Sequence, residues 1–394
     1  FATIKVLTHS FLILQVFGGW IPISCSSTVK EQIYNIYTLI IGLTMITFFV
    51  SCTIDLFYTY SNIEIMVQNL SMTFTVFVAW SKLVLLKLKR SEVRNILRLL
   101  DGRLCRVQRE EEAGIQFKHD KKAKDIIVTY FIMVGCAVSF MTTASILDNL
   151  SARVLPFNGW FPFQHLNGSG FWIAYFHQSV AHFYVAMVGS AFDTVFWGVL
   201  IQNSSQLVIL KSWLESFVNI VHRNKTAGAS DLPSLRNLEH KFMKKCIHHH
   251  WIILQLSFVC KKQANDRFSP IIFRQYSLSL LILCMSVQLL TKLAFGSPEF
   301  MFIVFYLCCM ISQIFLFCWY ANEVALESSE ISSAIYNMDW QYLMNKTKKD
   351  LLLMKMRTVK PIKFTSGSLI ELSLESFTKL MKFSYTAYNV LQRK

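Results

Sequence analysis

Glycine and proline are scarce in this chain, with 14 and 7 copies among 394 residues, and no segment of it repeats. This excludes solenoid repeat proteins and low-complexity chains. Charged residues are also few, at 16% of the total, whereas apolar residues make up 53% and include 33 phenylalanines. This composition is too apolar for an ordinary soluble domain and is typical of a protein with several membrane-spanning helices.

Catalytic and metal-binding motifs are absent as well. The chain contains no glycine-rich phosphate loop, no His-Glu-x-x-His and no Gly-x-Ser-x-Gly, so an enzyme is not indicated. The run CIHHHW at residues 246–251 offers zinc ligands. However, consecutive residues of a helix point about 100° apart, so three adjacent histidines cannot share one ion. His177 and His182 are also unsuitably spaced, and we predict no metal and no cofactor.

Seven apolar segments run through the chain. We predict an all-α membrane protein with spanning helices at residues 33–54, 64–87, 126–147, 171–202, 271–295, 300–322 and 367–392. The fourth is too long for one crossing and should project from the membrane as a continuous helix. Residues 11–23 form a shorter apolar stretch that glycine and proline interrupt, and we interpret it as an interfacial segment.

Basic residues are distributed unevenly among the loops. Residues 88–125, 203–266 and 327–366 contain 27 Lys and Arg residues, whereas the three alternate loops contain only Arg153. By the positive-inside rule, this places the N-terminus in the cytoplasm and the C-terminus outside the cell. The net charge of +15 therefore reflects topology, and we do not expect binding to nucleic acid.

The basic segments have the periodicity of amphipathic helices. Apolar residues recur at helical spacing between Leu207 and Val221, and further helices are predicted at residues 238–260 and 327–357. They must bury their apolar faces on each other or on another subunit, which predicts a helical layer beneath the bilayer. The long outer loop contains no cysteine, and the Asp/Glu-Arg-Tyr and Asn-Pro-x-x-Tyr motifs are missing. Together with the inverted topology, this argues against a G-protein-coupled receptor.

The last apolar segment is unusually polar. One helical stripe of it contains Glu371, Glu375, Thr378, Lys382, Thr386, Asn389 and Arg393. A charged residue at the bilayer centre costs about 3 kcal/mol, so the stripe cannot face lipid. Packing inside the bundle is one explanation. The alternative is a water-filled axis between subunits, and we favour such an ion pore because a monomer has no need of the stripe.

The chain resembles the insect odorant receptor family in four stretches: FGGWIP at residues 17–22, FCWYANEVALESSEISSAIYNMDW at 317–340, KPIKFTSGSLIELSLESF at 360–377 and SYTAYNVLQ at 384–392. The similarity extends over essentially the whole chain. It implies seven membrane-spanning helices with a cytoplasmic N-terminus, and assembly as a tetrameric cation channel whose pore is lined by the last helix.

The resemblance also implies a partner. The second cytoplasmic loop, residues 203–266, is much shorter than in the shared co-receptor Orco, and the ending is the odorant rather than the gustatory form. We therefore expect an odour-tuning subunit that pairs with Orco in the plasma membrane of olfactory dendrites, contacts lipid, binds a small volatile molecule and conducts cations. A chemoreceptor that signals through a separate transducer, a gustatory-type channel and a transporter are the alternatives.

Six regions follow from the resemblance. They are an interfacial or cytoplasmic N-terminal segment (residues 1–32), four spanning helices with the ligand pocket (33–202), a cytoplasmic anchor loop (203–270), two more spans (271–322), a second anchor segment (323–366) and a pore-lining helix (367–394).

The family's ligand pocket lies in the outer half of the bundle, between helices two, three, four and six. Projection of that half gives twelve candidate ligand contacts: Asn69, Leu70, Thr73, Ser139, Thr142, Ile146, Tyr175, Gln178, His182, Phe302, Phe305 and Tyr306. An apolar cavity with few polar groups suits a small volatile molecule. At the pore, the resemblance places an apolar gate at Val390, with Thr386 and Asn389 beside it. Lys394 puts a positive charge at the outer mouth, which departs from what a cation channel requires.

Overall fold

A computed structural model describes residues 7–22, 28–59, 63–103, 105–149, 153–162, 168–226, 232–263, 269–291, 293–366 and 370–392. The chain is mainly helical, with helices α1 (Thr8–Val16), α2 (Thr28–Tyr58), α3 (Ile63–Leu88), α4 (Arg90–Leu100), α5 (Glu110–Ala144), α6 (Ser169–Thr226), α7 (Leu232–Gln263), α8 (Ser269–Leu290), α9 (Pro298–Tyr336), α10 (Asn345–Thr358) and α11 (Leu374–Gln392). A π-helical turn, Ser145–Asn149, extends α5, and a two-stranded antiparallel ladder pairs β1 (Thr365–Ser366) with β2 (Ile370–Glu371).

Five of the described helices, α2, α3, α5, α6 and α9, are long and apolar enough to cross a membrane. Helix α6 has 58 residues, about 87 Å at 1.5 Å per residue, and therefore extends far beyond a bilayer. This confirms the prediction of a continuous projecting helix in the fourth segment. Helix α8 has a shorter apolar part, at Ser277–Leu290.

Helix α6 lies at the centre of the bundle and packs against α1, α2, α3, α5, α7 and α9. Trp197 of α6 is fully buried, and its ring lies 4.8 Å from that of Tyr130 and 5.7 Å from that of Phe317. Between helices in lipid, such close van der Waals contact replaces the hydrophobic effect as the main source of stability. The aromatic cluster therefore fixes α5 and α9 against α6.

The N-terminal helix α1 docks closely on α6. A Cβ atom at Gly198 would lie 2.2 Å from Leu7 Cδ2, so the contact requires glycine at that position. Leu7 and Leu14 are fully buried there, while Leu12 and Val16 remain more than half exposed. Residues 11–16 of the predicted interfacial segment are thus helical with one face on the bundle, and the interfacial position of the segment stays a prediction.

The predicted helix at residues 327–357 is interrupted. Helix α9 ends at Tyr336 and α10 begins at Asn345, because Trp340 folds back and donates from Nε1 to the carbonyl of Ile335 (2.9 Å). The start of α10 is held by Glu239 of α7, whose carboxylate accepts from the Met344 amide (3.1 Å) and the Thr347 hydroxyl (2.6 Å). A carboxylate is favourable at a helix N-terminus, where backbone N–H groups are unpaired.

The last helix starts later than expected, at Leu374 rather than near residue 367. The chain before it turns through the β1–β2 ladder, and Ser373 then accepts the amide of Ser376 (3.2 Å), as an N-cap residue does. Glu371 lies in β2 and forms an ion pair with Lys363 at 3.0 Å. Glu371 therefore does not belong to the helical stripe in which the sequence had placed it.

Candidate functional site

Two adjoining cavities lie between the membrane-spanning helices. The outer cavity, of about 260 Å³, is bounded by α3, α5, α8 and α9 and by residues 154–158 of the loop before α6. The inner cavity, of about 130 Å³, lies between α3, α5, α6, α8 and α9. Met72, Phe302 and Tyr306 line both cavities and mark where they meet. A ligand could therefore extend from one cavity into the other.

The loop at residues 153–162 closes over the outer cavity. The Gln178 side chain of α6 makes two hydrogen bonds to the backbone of Phe157. Its Nε2 donates to the Phe157 carbonyl (3.0 Å), and its Oε1 accepts from the Phe157 amide (3.1 Å). Ser51 of α2 pairs with Trp160 in the same way, through its hydroxyl (2.9 Å) and its carbonyl (3.1 Å). The Phe157 ring then packs 4.7 Å from the ring of His182. Four hydrogen bonds thus fix this cover.

The walls of the inner cavity are mostly apolar, with polar side chains at separate points that include His182 and Ser190. The hydroxyls of Thr75 and Tyr306 lie 2.8 Å apart, where the two cavities join. Deeper, Lys82 of α3 and Gln313 of α9 line the cavity, about three helical turns from Met72 and Phe302. Ser279 of α8 also lines this cavity.

A buried ion pair closes the inner end. The ammonium of Lys82 lies 2.7 and 2.8 Å from the two carboxylate oxygens of Asp193 on α6. The side chains of Lys82 and Asp193 are 2% and 0% exposed. The Gln313 amide also donates to Asp193. Since a buried charge is costly unless it is paired, this group joins α3, α6 and α9 as one unit.

Four of the twelve predicted contacts line the cavities. Asn69 lines the outer cavity, His182 the inner one, and Phe302 and Tyr306 line both. Tyr175 lies behind the wall and shares a hydrogen bond with Ser145 at 3.0 Å. The other seven positions, which are not among the lining residues, are Leu70, Thr73, Ser139, Thr142, Ile146, Gln178 and Phe305. The ligand-binding role of all twelve stays a prediction.

The predicted contacts on α5 and the turn that extends it miss the cavities for a simple geometric reason. Ser139, Thr142 and Ile146 are exposed, whereas the face toward the cavities includes Val138 and Met141. A phase error of one residue rotates a projected face by about 100°, which is enough to turn the predicted side chains away from the cavities. Sequence reasoning also missed Lys82, Asp193, Gln313 and Ser279. The signal for the first two was a charge inside an apolar helix, which usually marks a paired or functional site.

The polar face of α11 points away from the rest of the chain. Glu375, Thr378, Lys382 and Thr386 are exposed, and Asn389 is partly so. On the opposite side Leu380 is buried, and the Phe377 ring packs 5.3 Å from that of Phe315 on α9. The side chain of Val390 and all of Lys394 lie outside the described residues.

The helical layer at the other end of the bundle contains a buried histidine. His249 of α7 donates from Nε2 to Gln206 of α6 (3.0 Å), and its ring stacks near Trp213 at 4.6 Å. Burial, together with the nearby charge of Lys245, lowers the pKa of His249 to about 3. Across the described residues, no three His, Cys, Asp or Glu side chains are grouped so that they could hold a metal ion.

Comparison with known proteins agrees with this architecture. The profile of the 7tm odorant receptor family matches residues 62–385. The odorant receptor Or1 of Anopheles gambiae is 25% identical over 61% of this chain, and odorant receptor 10 of Aedes albopictus is 29% identical over 56%. The chain covers 60% and 55% of the lengths of these two relatives.

The fold is also that of a solved insect receptor. The structure of the insect olfactory receptor OR5 from Machilis hrabei in complex with eugenol superposes with a TM-score of 0.85, at 15% identity, over 99% of this chain and 98% of that one. The same receptor in a second structure gives a TM-score of 0.83 at 16% identity. Because the family profile covers most of the residues and the helices superpose throughout, this membrane protein belongs to the insect odorant receptor family.

Proposed function

We propose that this chain is the odour-tuning subunit of a ligand-gated, non-selective cation channel and that it opens when a small volatile molecule occupies the two cavities. The observation that carries the proposal is the pair of adjoining cavities inside the membrane-spanning bundle of an odorant receptor family member. Their partner in the channel is the co-receptor Orco, and the site of action is the dendritic membrane of an olfactory neuron.

The size and lining of the cavities support a small and mainly apolar ligand. A dry cavity of about 150 Å³ is enough to bind benzene, so volumes of about 130 and 260 Å³ can together hold a volatile of moderate length. Aliphatic and aromatic walls bind such a molecule by dispersion. We assign the main ligand contacts to His182, Phe302 and Tyr306. All three offer apolar ring surface, and His182 and Tyr306 also carry a polar group.

The exposed face of α11 supports a pore. Its charged and hydroxyl side chains would be costly in lipid, and they are exposed with respect to the described part of the chain. Four subunits that each contribute one such helix would line a water-filled axis with them. We place the gate at Val390 and the C-terminus outside the cell, as the loop charges predict. Arg393 and Lys394 then lie at the outer mouth, and the partner subunits dilute their charge.

The route from ligand to pore is short. Helix α11 packs on α8 and α9, two of the helices that line both cavities. Leu380 of α11 belongs to a buried cluster that also contains Leu283 of α8 and Ile303 of α9. Ile303 lines the outer cavity itself. A ligand that shifts α9 by a small distance therefore acts directly on the helix that we assign to the pore.

The cytoplasmic layer supports assembly into a larger complex. Helix α10 leaves Leu353 and Met356 exposed at 65% and 67%, and the end of α9 leaves Tyr336 exposed at 68%. Apolar side chains grouped this way mark a protein interface. We assign residues 203–270 and 323–366 to the anchor between subunits.

Recording from cells that express this chain with and without Orco tests the proposal. We expect cation current on exposure to a volatile agonist, in the presence of Orco only, that persists when G-protein signalling is blocked. A response that disappears under that block would favour a receptor with a separate transducer. Surface expression of both chains must be confirmed in each case.

A further inference from the structure

We propose that the inner cavity binds the oxygen-bearing end of the ligand, at Ser279 and Lys82, so that the receptor selects oxygenated volatiles over hydrocarbons of equal length. The inference rests on the proposed function, because it takes the cavities as the odorant site. It adds the chemical class of the ligand, its orientation, and a contribution from α8.

Ser279 carries the argument. Its side chain is 1% exposed, it lines the inner cavity, and its hydroxyl has no hydrogen-bond partner among the described residues. Hydroxyls on neighbouring helices behave differently, since Thr73, Thr75 and Ser179 each donate to the carbonyl four residues earlier in their own helix. A buried hydroxyl without a partner is destabilising and uncommon in native proteins. An oxygen atom of a ligand in the cavity would supply the missing partner.

Lys82 offers a second donor at the same cavity. An ammonium has three N–H groups, and the contacts with Asp193 account for two of them. The remaining polar contact among the described residues is with the face of the Phe192 ring, 5.5 Å away. One N–H of Lys82 can therefore reach an acceptor in the cavity.

The hydroxyls at the junction of the cavities cannot take this role. Thr75 donates its single proton to the carbonyl of Ser71 (2.9 Å), so in its bond with Tyr306 (2.8 Å) it must accept. The proton of Tyr306 is thereby used as well. Ser279 and Lys82 therefore offer the inner cavity donors that these two hydroxyls cannot supply at its entrance. A ligand oxygen would point inward, and the hydrocarbon part would extend past Phe302 into the outer cavity.

The charges select a neutral ligand. Asp193 balances Lys82, so the inner end of the cavity has polar donors but no net charge. A carboxylate or an ammonium would lose its hydration without gaining a counter-ion. An alcohol, aldehyde, ketone or ester needs one or two hydrogen bonds and suits this arrangement.

Binding to the purified complex of this chain with Orco, in lipid nanodiscs, tests the inference without reference to current. The probes are 1-octanol, octanal, 2-octanone and octane, and the readout is the ligand-dependent shift in melting temperature. We expect Ser279→Ala to weaken the binding of the three oxygenated probes by about fivefold to tenfold, the value of one hydrogen bond, with octane unchanged. Ser277→Ala is the matched control, since Ser277 lies on α8 two residues before Ser279 and is not among the residues that line either cavity; it should change the binding of neither the oxygenated probes nor octane.

Several outcomes would overturn the inference. These are equal binding of octane and the oxygenated probes by the wild type, no binding of any oxygenated probe, and a Ser279→Ala effect that is absent, shared by octane or reproduced by Ser277→Ala. Oxygen-selective binding without any evoked current would instead overturn the channel proposal and leave this inference standing. If Ser279→Ala leaves the evoked current unchanged for all probes, this inference is overturned and the channel proposal stands.

Discussion

Lys82 and Asp193 form an ion pair with a shortest Nζ–Oδ1 distance of 2.7 Å in the centre of the membrane-spanning bundle, where both side chains are almost fully buried. The two residues lie on α3 and α6, and Gln313 of α9 donates to the same carboxylate. Three helices that line the inner cavity are thus joined at one carboxylate group. Because neither charge is tolerable alone in this environment, the pair should behave as a unit.

Lys82→Met is therefore expected to destabilise the fold by about 3–5 kcal/mol, since it leaves Asp193 buried without its counter-ion. The double variant Lys82→Met/Asp193→Leu removes both charges and should recover most of that loss. Thermal unfolding of the detergent-solubilised protein measures both. A double variant as unstable as the single one would show that the ion pair is not the reason for the loss.

Gln178 should control the cover of the outer cavity. Its side chain makes two hydrogen bonds to the backbone of Phe157, so Gln178→Leu removes both and should free the loop. We expect faster hydrogen exchange at residues 153–162 and agonist potency altered by about fivefold. Ser179→Ala is the control, because Ser179 bonds only within its own helix. Unchanged exchange in the Gln178 variant would contradict the assignment.

The two parts of the Tyr306 side chain should have separable effects. Tyr306→Ala removes a ring that lines both cavities and is expected to lower agonist potency by about tenfold or more. Tyr306→Phe keeps the ring and loses only the hydrogen bond to Thr75, which is worth about 1 kcal/mol. Concentration–response curves at matched surface expression distinguish the two variants. Equal potency loss in both would assign the effect to the hydroxyl and not to ligand packing.

The sequence allowed the helical architecture to be predicted well because its signals are local. Apolar runs and periodicity placed the starts of α3, α6 and α9 within two residues of their observed starts. The predicted spans of α6 and α9 end at residues 202 and 322, whereas these helices continue to Thr226 and Tyr336. The interruption after Tyr336 was not foreseen, because it depends on a contact between Trp340 and the end of α9 that no local pattern encodes.

The candidate site was harder to predict for the same reason. Which face of α5 meets a cavity depends on how the helix is rotated in the bundle, and the sequence constrains that rotation weakly. Lys82 and Asp193 are 111 residues apart, so their pairing is a property of the fold. Each charge could have been flagged alone, as an ionisable residue in an apolar helix. The unpartnered hydroxyl of Ser279 has no sequence signature.

Acid should destabilise the helical layer that contains His249. Its pKa is lowered from 6.5 to about 3, first by burial and then by the charge of Lys245. The unfolded chain therefore binds a proton that the folded chain excludes, and the contribution of neutral His249 is present above pH 6.5 and lost as the pH falls toward 3. Between pH 6.5 and 5 the loss is about 2 kcal/mol.

The matched variant is His249→Gln, which keeps a donor for Gln206 and cannot titrate. Its unfolding free energy should fall less steeply with acid than that of the wild type. His250, whose pKa burial lowers to about 4, stays in both proteins and provides the common background. Parallel pH profiles for the two proteins would rule His249 out as the acid-sensitive group.

The pore assignment predicts opposite effects at neighbouring positions of α11. Thr386 is exposed on the polar face, whereas Ser384 is 8% exposed and donates within the helix to the carbonyl of Leu380 (3.0 Å). Apolar side chains that meet at a symmetry axis exclude water and block ions without any charge. Val390→Ser should therefore raise basal current severalfold or alter ion selectivity, and Val390→Trp should reduce current while assembly is unchanged.

Thr386→Ala should alter conductance, and Ser384→Ala should not. Because we propose that this chain supplies only some of the pore helices, we expect each effect to be partial and to grow with the share of mutant subunits. Single-channel recording with surface levels confirmed decides the matter: if conductance, selectivity and block are unchanged at Val390 and Thr386, α11 does not line the pore.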